Sequence, residues 1–247
     1  RHLIVCGDDA GVRRVLADLP RVSCGLDAGN DWRAVSVRPR DGGMAFEVLR
    51  QGESLGEVWL GVPGEHNVRN ALLALAVGHF YAVPFAELAA ALGQFRGSAR
   101  RFEFKGAAGG VEVFDDYAHH PAEIRATLAA ARARFPGRRI VAYFQPHTYS
   151  RLAAFGADFA AAFADADVVR IGAVYGAREA AAGPDPTGAI VAAMDHPAAA
   201  AAGDLDGAYA ELRSLLRPGD VLLTLGAGDG VTVGERLLAT MQDADDC

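Results

Sequence analysis

Val111-Glu112-Val113-Phe114-Asp115-Asp116-Tyr117-Ala118-His119-His120-Pro121-Ala122-Glu123 carries the change of pattern that decides the fold. An apolar run, 111–114, ends in two carboxylates, a phenol and two imidazoles, and a long Ala-rich segment follows. Charged groups at the carboxyl end of a strand, just before a helix, stand where open α/β sheets bind ligands. The stretch predicts a strand, a functional turn and a helix over 121–135, with Pro121 suited to the first helical turn.

Strand and helix alternate from there to the end of the chain. Strands are predicted at 140–144, 168–172 and 221–225, and helices at 150–164, 205–216 and 231–241. Segments 101–105 and 111–114 read as paired strands around 106–110. Repeated strand–helix units imply a largely parallel, doubly wound sheet. The alanine run 198–202 reads as surface or linker. Upstream the pattern differs. Residues 2–6 and 21–25 read as strands around a short helix at 11–19. The alternating runs 34–37, 44–49 and 56–60, split by turn-formers such as Asp41-Gly42-Gly43, predict an antiparallel meander. Apolar Val68, Ala71, Leu72, Leu75 and Ala76 follow helical spacing, so a helix is expected over 71–81, led in by 62–70, with another at 85–92. Phe95-Arg96-Gly97-Ser98 reads as a linker, which divides the chain into domains 1–98 and 99–247.

Bulk properties narrow the class. The 247 residues are 51% hydrophobic with a net charge of −7, a globular composition without electrostatic support for nucleic-acid or anionic-membrane binding. Three separated cysteines without a CxxC pair argue against a disulfide framework and for a reducing, cytoplasmic setting. No apolar run reaches membrane-spanning length. Because Arg1 precedes a strand directly, a preceding part of the same protein is expected.

Several constellations carry chemistry. Asp116 at a strand end can hold ribose hydroxyls or a cation, His119 can orient a phosphate or carboxylate, and Tyr117 adds a hydroxyl between them. The plain alternative is a capping Asp with solvated histidines. In His66-Asn67-Val68-Arg69-Asn70 the two Asn share a helical face. An amide that donates and accepts together suits an adenine edge; the alternative is Asn67 as an N-cap. Arg100-Arg101 follows the linker, where a guanidinium can reach a phosphate or form a solvated pair on a strand. Gln145-Pro146-His147-Thr148-Tyr149-Ser150-Arg151 follows strand 140–144, so its loop and the Asp116 loop are expected to face one crevice. There His147 and Arg151 can bind a small carboxylate; the alternative is Ser150 as an N-cap and an exposed Arg151. Gly226-Ala227-Gly228-Asp229-Gly230 is a weak phosphate-cradle signal. Cys6, Cys24, His2, His79 and His196 show no partner pattern and read as structural. Two other classes fit parts of this inventory. One is a metal-dependent phosphoesterase with Asp115, Asp116, His119, His120 and His147 as ligands, the other a non-catalytic nucleotide-binding module.

Four motifs in order, Pro63-Gly64-Glu65-His66-Asn67-Val68-Arg69-Asn70-Ala71, Arg100-Arg101-Phe102-Glu103, Asp115-Asp116-Tyr117-Ala118-His119-His120-Pro121 and Phe144-Gln145-Pro146-His147-Thr148-Tyr149-Ser150-Arg151, resemble the Mur ligases, ATP-dependent amide-forming enzymes of peptidoglycan synthesis. The resemblance implies the C-terminal half of a central ATPase domain over 1–98 and a Rossmann-like, doubly wound C-terminal ligase domain over 99–247. It implies His66, Asn67 and Asn70 at the adenine, Arg101 on ATP phosphates and Asp116 at the ribose or phosphate region. Tyr117, His119, His147 and Arg151 would shape the amino-acid end, and Asp116, His119 and Arg101 are the implied catalytic groups. The implied partners are ATP, Mg²⁺, UDP-N-acetylmuramate and L-alanine. A sister branch that recycles murein tripeptide shares the Asp-Asp-aromatic-Ala-His-His-Pro stretch, whereas the Phe144–Arg151 motif favours the alanine-adding branch. Thr148 stands where many members carry Arg. The family's phosphate loop, G-x-x-G-K-[ST], does not occur in these residues. That loop and the metal ligands are therefore expected outside this chain, which by itself is expected to be inactive.

Overall fold

The computed structural model describes residues 3–181 and 183–245, so the expectations on His2 and Cys247 lie outside the described residues. The chain divides into two compact units, residues 1–97 and 98–247.

The first unit holds a five-stranded sheet in the order β1-β2-β3-β4-β5: β1 (Ile4–Cys6), β2 (Val22–Gly25), β3 (Trp32–Arg40), β4 (Gly43–Arg50) and β5 (Glu53–Leu60). The pairs β1–β2 and β2–β3 are parallel, and β3–β4–β5 is the expected antiparallel meander. Its two tight turns, Asp41-Gly42 and Gln51-Gly52, have positive φ at both residues (51° and 76°, 50° and 87°), the conformation that matches the twist of a hairpin. Helix α1 (Ala10–Val15) is shorter than the sequence predicts. Arg21 Nη1 donates to Leu16 O at 2.6 Å and satisfies carbonyls beyond its end. Helix α2 (Glu65–Phe80) starts earlier than expected, with Gly64 as N-cap, so Asn67 lies inside the first turn. Val68, Leu72 and Leu75, at i, i+4 and i+7, are buried against Phe46, Val48 and Val58. Helix α3 (Phe85–Gln94) follows.

The second unit holds a six-stranded sheet in the order β10-β9-β8-β11-β7-β6. Its strands are β6 (Glu103–Ala108), β7 (Val111–Asp116), β8 (Ile140–Phe144), β9 (Val168–Gly172), β10 (Ala199–Gly203) and β11 (Val221–Leu225). All neighbours are parallel except the edge pair β6–β7. β8 and β11 are buried at every position, as apolar strands covered on both faces must be. Ile140, Ala142 and Phe144 face one layer with α4 (Pro121–Arg134), α5 (Tyr149–Ala160) and α6 (Thr187–Ala193). Val141 and Tyr143 face the other, with α7 (Leu205–Leu215) and α8 (Val231–Asp245). The doubly wound expectation therefore holds. The chain leaves β7 and β8 toward one face and β11 toward the other, and β11 lies between them. The carboxyl ends of these three strands thus form the switch point where such sheets bind ligands.

Two expectations are corrected and one helix is new. Residues 198–202 are not a linker: 199–203 form edge strand β10, paired in parallel with β9. Alanines give no alternation to read, and the strand exists because β9 offers an open edge. Helix α6, seven residues long and preceded by Pro184 and Pro186, was not read from the sequence; Asp185 accepts from the Thr187 N–H at its start at 3.0 Å. Arg101 lies in the turn before β6, not on the strand.

Phe144 is 1% exposed and lies against Phe159 and Phe163 at centroid distances of 5.3 and 5.7 Å. Phe144→Ala is expected to lower the unfolding free energy of the second unit by about 3–5 kcal/mol, measured by urea denaturation.

Candidate functional site

The site in the second unit begins with two neighbouring carboxylates that face opposite tasks. Asp115 is fully buried; its Oδ2 accepts from Arg100 Nε at 2.8 Å and its Oδ1 from Thr224 Oγ1 at 2.7 Å. The remaining Arg100 N–H groups reach Gly226 O at 2.8 Å and Gly228 O at 3.2 Å. Arg100 is thus a tie between β7 and the turn after β11, not a solvated residue. Asp116, 5% exposed, accepts from Phe102 N at 2.9 Å and Ala118 N at 2.8 Å. Burial pushes its carboxyl up from the ordinary value, against the pull of those amides, Arg101 and Thr127. Perturbed buried carboxylates cluster at functional sites, although structural ion-pair networks perturb them too.

Arg101 is held loosely. Its guanidinium is half exposed, 4.0 Å from Asp116 and 3.7 Å from Glu123, and lies over the Tyr117 ring at 5.7 Å. Such a cation can exchange weak acid contacts for a stronger anion.

The three nearby histidines differ. His119 Nδ1 donates to Tyr117 O at 2.9 Å, since a carbonyl can only accept, which leaves Nε2 with the lone pair in the neutral ring. His120 is not a site residue. It is the N-cap of α4, its Nδ1 accepting from Ala122 N at 3.3 Å, in a capping box with Glu123. His147 Nδ1 accepts from Arg151 Nη1 at 3.3 Å, so its Nε2 carries the proton. Burial, followed by the Arg151 and His119 charges, pushes His147 below its ordinary value. The rings of His119 and His147 lie 6.1 Å apart. The loops after β7 and β8 therefore face one another, and Asp116, Tyr117, His119, His147 and Arg151 gather there with Arg101.

Sequence reasoning missed four residues here. Tyr175, from the loop after β9, stacks on His147 at 5.6 Å. Glu179, from the same loop, binds Ser150; the N-cap position of α5 is Thr148, whose side chain makes no cap hydrogen bond, so the alternative of Ser150 as N-cap does not hold. Gln145 fills the Gly-rich turn: its Oε1 accepts from Gly230 N at 2.8 Å and its Nε2 donates to Asp229 Oδ1 at 2.7 Å. That turn is closed by a side chain of the protein. Its position straight after β8 was the available signal for Gln145, and the Gly-rich turn that for Asp229; Tyr175 and Glu179 offered none.

The amide pair belongs to the first unit. Asn67 Nδ2 donates to Pro63 O at 2.7 Å, and exposed Asn70 follows one turn on. A residue without sequence signal steadies them. Asp8 accepts from Arg69 Nε and Leu26 N at 2.8 Å, Asn30 Nδ2 at 2.9 Å and Asp27 N at 3.1 Å. Burial opposes its charge, but these donors outweigh burial and hold its carboxyl below the ordinary range. Among the described residues no group of three or more His, Cys, Asp and Glu is arranged to hold a metal ion, and no helix is long and apolar enough to cross a membrane.

Residues 100–228 match the family model described as Mur ligase, glutamate ligase domain. The chain belongs to the Mur ligase family. It is similar to the UDP-N-acetylmuramate–L-alanine ligases of Roseiflexus castenholzii, 45% identical over all of this chain and 56% of the relative, and of Roseiflexus sp. strain RS-1, 48% identical over 98% and 56%. Among solved structures, the UDP-N-acetylmuramate–alanine ligase of Thermotoga maritima matches 98% of this chain and 51% of its own, with a TM-score of 0.79 and 27% identity. The chain spans about half the length of the curated relatives it matches.

Two outcomes follow from this Mur ligase site. Arg100→Ala leaves Asp115 buried and unpaired and is expected to cost about 3–5 kcal/mol of stability, read by urea denaturation; Arg100→Lys should not restore it, because an ammonium cannot span the same three acceptors. For His147 the folded value lies below the ordinary 6.5. The stability that its neutral ring contributes is therefore complete above about pH 6.5 and is lost as pH falls toward the lowered value. An NMR titration of the ring should give a midpoint below 6.5, and His147→Gln should remove that part of the acid dependence.

Proposed function

We propose that this chain carries the amino-acid end and the adenine end of a UDP-N-acetylmuramate–L-alanine ligase, which joins L-alanine to UDP-N-acetylmuramate through an acyl phosphate at the expense of ATP. In this reading residues 1–98 are part of the central ATPase domain and 99–247 the C-terminal ligase domain. One observation carries it: His119 and His147 face each other at 6.1 Å in complementary tautomers, beside Arg151, which pairs with no carboxylate among the described residues.

The residues present fit both ligands. Arg151 and His147 Nε2–H offer donors suited to a small carboxylate. His119 Nε2 offers a lone pair to an ammonium proton, as an amine nucleophile requires. Asn67 keeps its amide oxygen and Asn70 its whole amide for a purine edge. Arg101 has the exposure and weak pairing to turn toward phosphate oxygens. ATP, when bound, supplies the phosphoryl group that activates the lactyl carboxylate. Asp116 anchors the Phe102 and Ala118 amides on either side of the site, so that Arg101 and Tyr117 are presented together. The work of these residues is positioning and charge neutralisation. Mg²⁺ would be held by residues other than those described here.

The tripeptide-recycling branch is disfavoured by the alanine-adding relatives at 45 and 48% identity; comparison of L-alanine with tripeptide as acceptor in the complete enzyme tests the choice. The phosphoesterase reading loses its ligands, since Asp115 is committed to Arg100 and Thr224 and His120 to a helix cap.

The 247-residue chain alone is expected to release no phosphate in response to L-alanine; measurable release would overturn this reading. In the complete ligase, Arg151→Ala is expected to raise KM for L-alanine about 10- to 100-fold with a smaller change in kcat; steady-state kinetics would show otherwise if Arg151 does not meet the amino acid.

A further inference from the structure

Thr148 sits at φ 67°, ψ 137°, a conformation that a β-branched residue adopts only under constraint. The constraint comes from one place, the loop after β9. Thr148 N donates to Tyr175 O at 2.9 Å, and Tyr175 N donates to Pro146 O at 2.8 Å. These two bonds make an isolated parallel bridge between His147 and Tyr175, whose rings stack at 27°. Beyond the strained residue, Ser150 N and Oγ donate to the two oxygens of Glu179 at 2.9 and 2.5 Å. Glu179 N in turn donates to Gly176 O at 2.9 Å. Gly176 permits the close approach: a Cβ there would lie 2.6 Å from Glu179 O and 3.2 Å from the Tyr149 ring. Thr148 is therefore pinned on both sides by residues 175–179.

The consequence lies one turn on. The chain leaves β8 extended and must bend sharply to begin α5 at Tyr149. The bend brings Arg151 Nη1 within 3.3 Å of both His147 Nδ1 and His147 O. A carboxylate at the start of a helix also favours the helix itself, and the two Ser150 bonds, above all, hold the Glu179 carboxyl below its ordinary range.

We propose that Glu179 is a positioning residue for the amino-acid substrate: its carboxylate fastens the first turn of α5 and, with the Tyr175 backbone, holds Thr148 in the strained bend that sets where His147 and Arg151 meet the amino acid. Glu179 acts through Ser150 and Thr148 and itself touches no substrate. The inference rests on the amino-acid site proposed above and adds the element that gives that site its shape.

The test uses the whole 247-residue chain and follows binding of L-alanine and D-alanine by backbone-amide NMR shifts. The parent is expected to bind L-alanine in preference to D-alanine. Glu179→Ala should raise the L-alanine dissociation constant at least about tenfold and flatten the L-over-D ratio. Loss of folded protein would lower both apparent affinities and leave their ratio alone, so the ratio isolates positioning from stability. Glu179→Gln keeps one oxygen for two donors and should fall between, about threefold weaker than the parent. A Glu179→Gln chain with the parent's affinity and ratio overturns the inference, whether or not Glu179→Ala folds. A parent chain that does not bind L-alanine overturns the amino-acid site itself and this inference with it.

Discussion

A carboxylate with no exposed surface organises the second unit. Asp115 is buried in the sheet and is held there by Arg100 and Thr224, because a buried charge without partners costs far more than one hydrogen bond returns. Satisfying it draws the Arg100 guanidinium inward, and Arg100 then binds two carbonyls of the turn after β11. The backbone on either side pays in conformation: Arg100 and Phe102 both have positive φ, 56° and 49°. That twisted turn sends Phe102 N to Asp116 and leaves Arg101 outside, over Tyr117. One arginine is spent on structure so that its neighbour is left available. This division also explains why adjacent residues of the same type, Asp115 and Asp116, Arg100 and Arg101, hold different roles.

The histidines show the same principle without burial as its cause. A capping position commits His120 to an amide, a carbonyl commits His119 Nδ1, and a guanidinium commits His147 Nδ1. Each ring's free nitrogen is decided by the partner its other nitrogen finds. The outcome is one ring left with an Nε2 donor and its neighbour with an Nε2 acceptor, their centroids 6.1 Å apart.

In the first unit the corresponding constraint is Asp8. One carboxylate gathers the amides after β2, the Asn30 side chain and Arg69 of α2. Arg69 lies between Asn67 and Asn70, so its tie to Asp8 adds a polar anchor on that side of α2 to the apolar packing of Val68, Leu72 and Leu75.

Strands 140–144, 168–172 and 221–225 were legible to the residue from short, largely apolar runs of strand length, broken only by Arg170 and Thr224. The meander was legible from Asp41-Gly42 and alternation, and the gathering of Asp116, Tyr117, His119, His147 and Arg151 from their shared position at strand ends. Local sequence by itself determined these features because periodicity and turn chemistry act over a few residues. Only the tertiary structure decided that an alanine run becomes β10 at an open sheet edge, that Arg100 is buried and Arg101 is not, and which nitrogen of each histidine carries its proton. It alone brought Tyr175 and Glu179 to His147 and Ser150. These outcomes depend on partners distant in sequence, and no local pattern encodes which charge or hydrogen-bonding group will arrive there.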